Sequence, residues 1–268
     1  MKIKDKITFY LAQNELSINK KFKNLHKGQS CYIFGNGVSL KSMEMEKYSD
    51  KISIGCNSLF VHKDFNKLDC RYYHLPASLL FYPYRTYVGK FQRNYIGALY
   101  RKKVKEYTNT HFFTSLSNSL NMRGDNISYL HHFGHKEWNY DLCEMDGVFS
   151  FMAGSIYAML GSAVYMGFEH AVLVGCDYTF TPRYELHFFD KGMGNVRFVE
   201  DLYCGLFFEE TQKRIDLTTL TLGGVESALK YKSYNEYFGC ELNYKENTEI
   251  IERASLELIH KQGYYNVN

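Results

Sequence analysis

No apolar run in this sequence reaches the roughly 20 residues needed to cross a bilayer, and Met1–Lys27 holds no signal-peptide core. Both absences predict a soluble, cytoplasmic chain, with attachment at a membrane surface still open. Cys-x-x-Cys is missing among seven scattered cysteines; that argues against a disulfide frame or a zinc site and for buried thiols in a reducing compartment. A strong charge excess is also missing: 32 basic against 29 acidic residues leave a formal charge of +3. A dedicated nucleic-acid binder would carry a strongly basic face, so no nucleic-acid partner is expected. There is no Asp-x-Asp, no internal repeat and no low-complexity tract, and proline is scarce, at three residues.

What the chain has in quantity is tyrosine (24) and phenylalanine (20). Tyrosine buries area yet keeps a hydroxyl, so these rings suit a core or the lining of a wet cleft. A length of 268 residues is ample for a two- or three-layer core.

Several apolar runs end on glycine or asparagine. Cys31–Phe34 is a short strand followed at once by Gly35-Asn36-Gly37-Val38-Ser39-Leu40, with a helix expected over Leu40–Tyr48. Glycines after a strand permit a sharp turn and close backbone approach to phosphate, and a following helix start offers N–H groups. The third glycine of the dinucleotide fingerprint is absent. Lys51–Cys56 reads as a second strand ending at Asn57, so two successive strands finish on an amide side chain. An amide donates to phosphate and accepts from a ribose hydroxyl.

Further strands are expected at Leu68–Leu75, Thr110–Ser115 and Ile127–Phe133. Ala153–Asp190 holds the most information. Ile156, Met159, Leu160 and Val164 fall at helix spacing, with Gly154-Ser155 at the start, Ser155 as a cap that leaves N–H groups for an anion, and Gly167 at the end. Ala171–Val174 has the continuous apolar character of a buried parallel strand, and Gly175-Cys176-Asp177 closes it. These units predict an α/β fold: a Rossmann-like, mostly parallel sheet flanked by helices, with ligands at the carboxyl edge of the strands.

Three other stretches carry weaker signals. Met1–Lys27 reads as a basic, helical N-terminal extension, with residues 28–268 forming a single nucleotide-binding domain. Within it, Phe81–Tyr107 interleaves lysine and arginine with aromatic rings and has one acid, Glu106. This is the signature of a lid, an acceptor-binding insertion or an anionic-lipid patch. His131, His132 and His135 lack companion ligands, and Glu144 with Asp146 is the nearest approach to an acidic metal pair. The tail offers helices at Val196–Arg214 and Asn247–Gln262 and a short final strand at Gly263–Val267.

Phe34–Leu40 resembles the GNGPSL opening of the family-42 bacterial sialyltransferases, with Val38 in place of proline. Gly55-Cys56-Asn57 is similar to their second-strand CN, and Ala153–Thr179 to their SG…LGY…IYL.G.D block. His187-Phe188-Phe189-Asp190 is similar to a later His-Phe-Tyr step of the wider superfamily, which includes flagellin nonulosonate-transferring and hydroxymethylpterin-diphosphokinase-like proteins. The resemblance implies a GT-A-like domain and a CMP-activated nonulosonate or Kdo-type donor. It further implies a glycan or lipid-linked glycan acceptor at the cell surface; peripheral contact with the cytoplasmic face of the inner membrane and the homo-oligomers that such proteins often form stay open.

By the same resemblance Gly35, Asn36, Gly37, Ser39, Asn57, Gly154, Ser155 and Asp177 would hold the nucleotide. His187 would be the general base, and Tyr178 and Tyr184 would support the leaving phosphate where Thr179 replaces the family's tyrosine. His74-Leu75-Pro76 stands where the family has an asparagine before its PS, and Ala153 replaces a serine. A monophosphate leaving group and the missing Asp-x-Asp predict no cofactor and no metal. Two rivals remain at this stage: a Mg²⁺-dependent diphosphokinase or other phosphotransferase on the same skeleton, and a non-catalytic module of an envelope-assembly complex.

Overall fold

Short runs of apolar, aromatic and β-branched residues pair as parallel strands where each is cut by a turn. The computed structural model describes residues 3–87, 89–132, 138–197 and 205–263. Eight strands carry the fold: β1 (Ser30–Phe34), β2 (Ile52–Cys56), β3 (Cys70–Leu75), β4 (His111–Ser115), β5 (Ile127–Leu130), β6 (His170–Val174), β7 (Asp216–Thr221) and β8 (Tyr231–Ser233). Helices are α1 (Ile3–Ser17), α2 (Tyr95–Glu106), α3 (Ser155–Met166), α4 (Gly205–Gln212), α5 (Tyr234–Phe238), α6 (Asn247–Ile250) and α7 (Arg253–Lys261). The expected α/β class with a mostly parallel sheet flanked by helices is the one adopted.

The chain divides into two compact units. The first, Ser30–Cys70 with His170–Asn268, carries strands in the order β8-β7-β6-β1-β2, all parallel. Ile33 lies level with Ile54 on one side and Leu173 on the other. Because β1 has β2 on one flank and β6 on the other, the strand order changes direction at β1. In open α/β sheets, ligand crevices form at the carboxyl ends of strands at such a point. Tyr32, Phe34, Tyr48, Tyr234 and Phe238 form an edge-on ring cluster in this unit. Tyr32, Tyr48 and Tyr234 are fully buried, so these rings serve the core rather than a wet cleft; burying each contributes roughly 1.5–3 kcal/mol.

The second unit, Met1–Gln29 with Arg71–Glu169, carries β3-β4-β5, again parallel, with α1 against the edge strand β5. Its core rings are Phe22, Tyr72 and Phe113. His74 is fully buried, its Nε2 2.7 Å from Ser162 Oγ. Burial pushes the imidazole down to about 3, so it is neutral. Gly167 ends α3 in the left-handed region (φ +83°) and donates back to Ala163 and Val164.

Several local expectations change. Leu40–Tyr48 is two 3₁₀ segments, Val38–Ser42 and Met45–Tyr48. The carbonyls of Lys41 and Ser42 accept from Lys245 and Asn243 of the tail, so they take no part in an α-helical ladder. Ser155 is the first residue of α3 rather than its cap; Gly154 caps it without a side chain. The expected Asn247–Gln262 helix breaks at Ile251, which is extended and bridges to His62. Within Val196–Arg214 the helix described is α4, and residues 198–204 lie outside the described residues. So do Phe133, His135 and residues 264–268, the site of the expected final strand.

Phe81–Tyr107 becomes an antiparallel hairpin, Tyr84–Tyr87 with Lys90–Arg93, followed by α2. Ile96, Leu99, Tyr100 and Val104 of α2 are buried, so one face of this helix belongs to the core. Glu144 pairs with Lys23, and Asp146 accepts from Tyr165. No cluster of three His, Cys, Asp or Glu able to hold a metal occurs among the described residues.

Candidate active site

Where β1 and β6 end side by side, both chains turn, and they turn against each other. Gly35 and Gly37 donate their N–H groups to Val174 and Gly175, at 2.8 Å each. A Cβ on Gly35 would sit 2.3 Å from the Gly175 oxygen, and one on Gly37 would sit 2.3 Å from the Asp177 carboxyl carbon. Real Cβ atoms do not approach backbone or carboxylate so closely, so both positions exclude any side chain. The glycines are therefore demanded by the neighbouring strand end.

Asp177 is 1 % exposed. Its Oδ2 accepts from the Ser39 N–H at 2.7 Å and its Oδ1 from the Ser39 hydroxyl at 2.5 Å. Burial raises this carboxyl to about 6, against the opposing pull of both Ser39 hydrogen bonds and of His187. With Gly35, Gly37 and Ser39 donating inside the protein, these amides serve the turn itself. Asp177 acts as its clamp.

The loop after β6 returns to this turn. Phe188 donates its N–H to the Asn36 carbonyl at 3.0 Å, and Gly37 bridges His187 in antiparallel fashion. The His187 side chain is 33 % exposed, with Nδ1 3.6 Å from Asp190 Oδ2. That same oxygen accepts the His187 backbone N–H at 2.9 Å. The imidazole stacks on Phe189 with centroids 4.8 Å apart and planes 16° apart. The stacking orients the ring, and the buried carboxyl lies just beyond hydrogen-bond reach of Nδ1, close enough to become the orienting partner of a histidine base after a small movement.

Asn36 donates its amide to the Cys56 carbonyl at 3.0 Å, joining the ends of β1 and β2, while its Oδ1 is buried without a protein partner. Asn57 adopts the left-handed region (φ +49°) at the end of β2, a conformation asparagine tolerates better than most residues. Tyr178 lies in the turn directly after Asp177, and Tyr184 in a short strand paired with Val196. Gly35, Asn36, Gly37, Ser39, Asp177 and His187 are joined by these contacts in the first unit, which also contains Asn57, Tyr178 and Tyr184. Gly154 and Ser155 belong to the second unit, at the start of α3.

One participant gave no signal in the sequence. Lys41 is fully buried, and its Nζ donates to the carbonyls of Asp190 (2.5 Å) and Gly192 (2.6 Å), with Glu246 at 3.6 Å. Burial lowers the ammonium's pKa, and Glu246 and Asp190 counter the shift. Asn247 donates to the Phe189 carbonyl at 2.9 Å. The His187–Gly192 loop is therefore held by the turn after β1, by a buried lysine and by the tail. A lysine three residues beyond Val38 reads as a surface residue, and only its place inside an otherwise buried segment marks it.

No protein-family model matches this chain, and no curated protein matches it. Solved structures that resemble it are complexes of the sialyltransferase CstII from Campylobacter jejuni. With the substrate analogue CMP-3FNeuAc the identity is 17 %, covering 88 % of this chain and 98 % of that one, at a TM-score of 0.40. With cytidine-5'-monophosphate the identity and coverage are the same and the TM-score is 0.42. With a trisaccharide acceptor and CMP the identity is 17 %, the coverage 88 % and 99 %, and the TM-score 0.40. A likeness at this level carries no argument about what this chain does.

Proposed function

We propose that the chain is a glycosyltransferase that takes its sugar from a nucleotide-activated donor. More narrowly, the donor is a CMP-activated nonulosonate or Kdo-type acid sugar and the acceptor a cell-surface glycan. The observation that carries this reading is His187, a partly exposed imidazole stacked on Phe189 and near buried Asp190, beside the Gly35–Gly37 turn at the carboxyl edge of β1 and β6. The sequence resemblance over residues 34–40, 55–57, 153–179 and 187–190 supports the choice of donor.

His187 takes the proton of the acceptor hydroxyl as it attacks the anomeric carbon, while the bond to the CMP phosphate breaks. Asp190 stabilises the imidazolium that results. Tyr178 and Tyr184 are the hydroxyls offered to the departing phosphate, Asn57 an amide for it, and Asn36 Oδ1 an acceptor for a donor hydroxyl. Asp177 and Ser39 act behind the turn. The absence of Asp-x-Asp supports a monophosphate leaving group without a divalent metal.

Thermal shifts with CMP, GDP, UDP and ATP, each with and without Mg²⁺, test the donor. Stabilisation by CMP in the absence of metal is expected; a response to ATP–Mg²⁺ alone would replace this reading with phosphoryl transfer. His187→Ala is expected to lower transfer from CMP-activated acid sugars by roughly 10²-fold or more while CMP still shifts the melting temperature. Retained turnover would remove His187 from the chemistry.

A further inference from the structure

In the second unit the loops that follow β3 and β4 form one platform. Asn118 donates to the Ala77 carbonyl and accepts from the Phe81 N–H, Leu79 N–H is received by Ser117, and Arg101 donates to the carbonyls of Phe81 and Asn121. The hairpin Tyr84–Arg93 rises from this platform, closed at its base by Asn94 N–H to the Pro83 carbonyl. Four large apolar side chains are exposed here: Leu79 (48 %), Tyr84 (56 %), Phe91 (75 %) and Leu120 (79 %). Tyr84 and Phe91 stack on one face of the hairpin, 5.9 Å apart. Leu79 is held in the left-handed region (φ +54°), which is unfavourable for a leucine. The hydrogen bonds that fix it present the side chain to solvent.

Charge is concentrated in the same place. Between Pro76 and Arg123 there are eight lysines and arginines and one acid, Glu106. That stretch carries a net +7, so the remaining 220 residues together carry −4. Met1–Gln29 carries a further +5, and both basic stretches belong to the second unit, which an anionic plane would attract.

We propose that this platform and hairpin seat the protein on an anionic lipid surface. Phe91, Tyr84, Leu79 and Leu120 enter the boundary between headgroups and acyl chains, and Lys90, Arg93 and their basic neighbours meet lipid phosphates. Exposed leucines at two separate loop tips give a phosphate backbone or a stacked base nothing to bind, and the lack of acids gives a mixed-charge protein face little to pair with. The inference does not depend on the proposed chemistry. It gives a cell-surface glycan transferase a reason to stay where lipid-linked acceptors are.

Flotation of the full chain with phosphatidylcholine vesicles, alone or mixed about 3:1 with phosphatidylglycerol, tests it. Binding is expected with the mixed vesicles only and should weaken as salt is raised. Phe91→Ser with Leu120→Ser, and separately Lys90→Glu with Arg93→Glu, should each lower binding about tenfold or more, with circular dichroism and melting temperature unchanged. These four side chains are exposed and outside the core, so the variants fold. Failure of the wild type to float, equal flotation with neutral vesicles, or wild-type binding by both variants would overturn the proposal. Retention of a short RNA in place of vesicles would overturn it in favour of a nucleic acid.

Discussion

Two buried charges next to His187 decide how the site is held, and each makes a measurable demand. Lys41 has no exposed surface and serves carbonyls of the loop that carries the base. Lys41→Met keeps the stem's bulk but strands the buried Asp190 carbonyl and the half-buried Gly192 carbonyl; the expected loss is about 1–3 kcal/mol in denaturant unfolding. Transfer should fall further than stability alone requires, because Asp190 then loses its place beside His187. Asp177 behaves differently. Its carboxyl is raised to about 6 in the folded protein against about 3.9 unfolded. Its contribution to stability is therefore fully present below about pH 4 and lost as pH rises through 6. Asp177→Asn can still face an oxygen to the Ser39 N–H and an amide to its hydroxyl, and it does not titrate. The stability difference between variant and wild type should move in the variant's favour by on the order of 2–3 kcal/mol between pH 4 and pH 7.5, measured by urea unfolding across that range. A constant difference would show that Asp177 does not titrate there.

Elements whose apolar residues recur at a clean period were legible before any coordinates. β1, β2, β6 and α3 with its terminal Gly167 fall close to where the pattern puts them, and so does the meeting of the Gly35–Gly37 turn with the Asp177 strand end. β7 was missed because its inward positions include threonine: Thr218, Thr219 and Thr221 are buried, but the hydroxyl hides a β-branched core residue in any apolar count. The helix expected after Gly37 failed for another reason: the tail, some 200 residues later, takes its carbonyls, and local periodicity cannot register a distant partner. α2 shows how the same limit affects mutation. Asn94 caps it through Gly97 N–H while its amide serves the carbonyls of Leu80 (2.5 Å) and Tyr82 (2.9 Å). By capping preference alone Asn94→Asp should be harmless. Here it would turn a carboxylate toward two carbonyls, so Asp should destabilise more than Ser, by about 1–3 kcal/mol, as read from the melting temperatures of the two variants.

At the scale of the whole chain, the two units carry different built-in reporters. The single tryptophan, Trp138, lies in the second unit, whereas the buried thiols Cys31, Cys56, Cys70 and Cys176 lie in the first. Burial raises the Cys176 thiol to about 12 and those of Cys31 and Cys70 higher still, so these groups react only when the first unit opens. Cys143 and Cys240 are partly exposed and label in the folded state. Nine of the eleven candidate residues belong to the first unit, which makes thiol protection the direct readout of donor binding. With CMP at about 100 times its dissociation constant, the urea midpoint for labelling the four buried thiols should rise by the equivalent of about 2.7 kcal/mol. If tryptophan fluorescence moves by the same amount, the units open together; if it stays, the first unit binds CMP alone. A thiol midpoint indifferent to CMP, with the tryptophan midpoint shifted, would relocate nucleotide binding to the unit of Gly154 and Ser155.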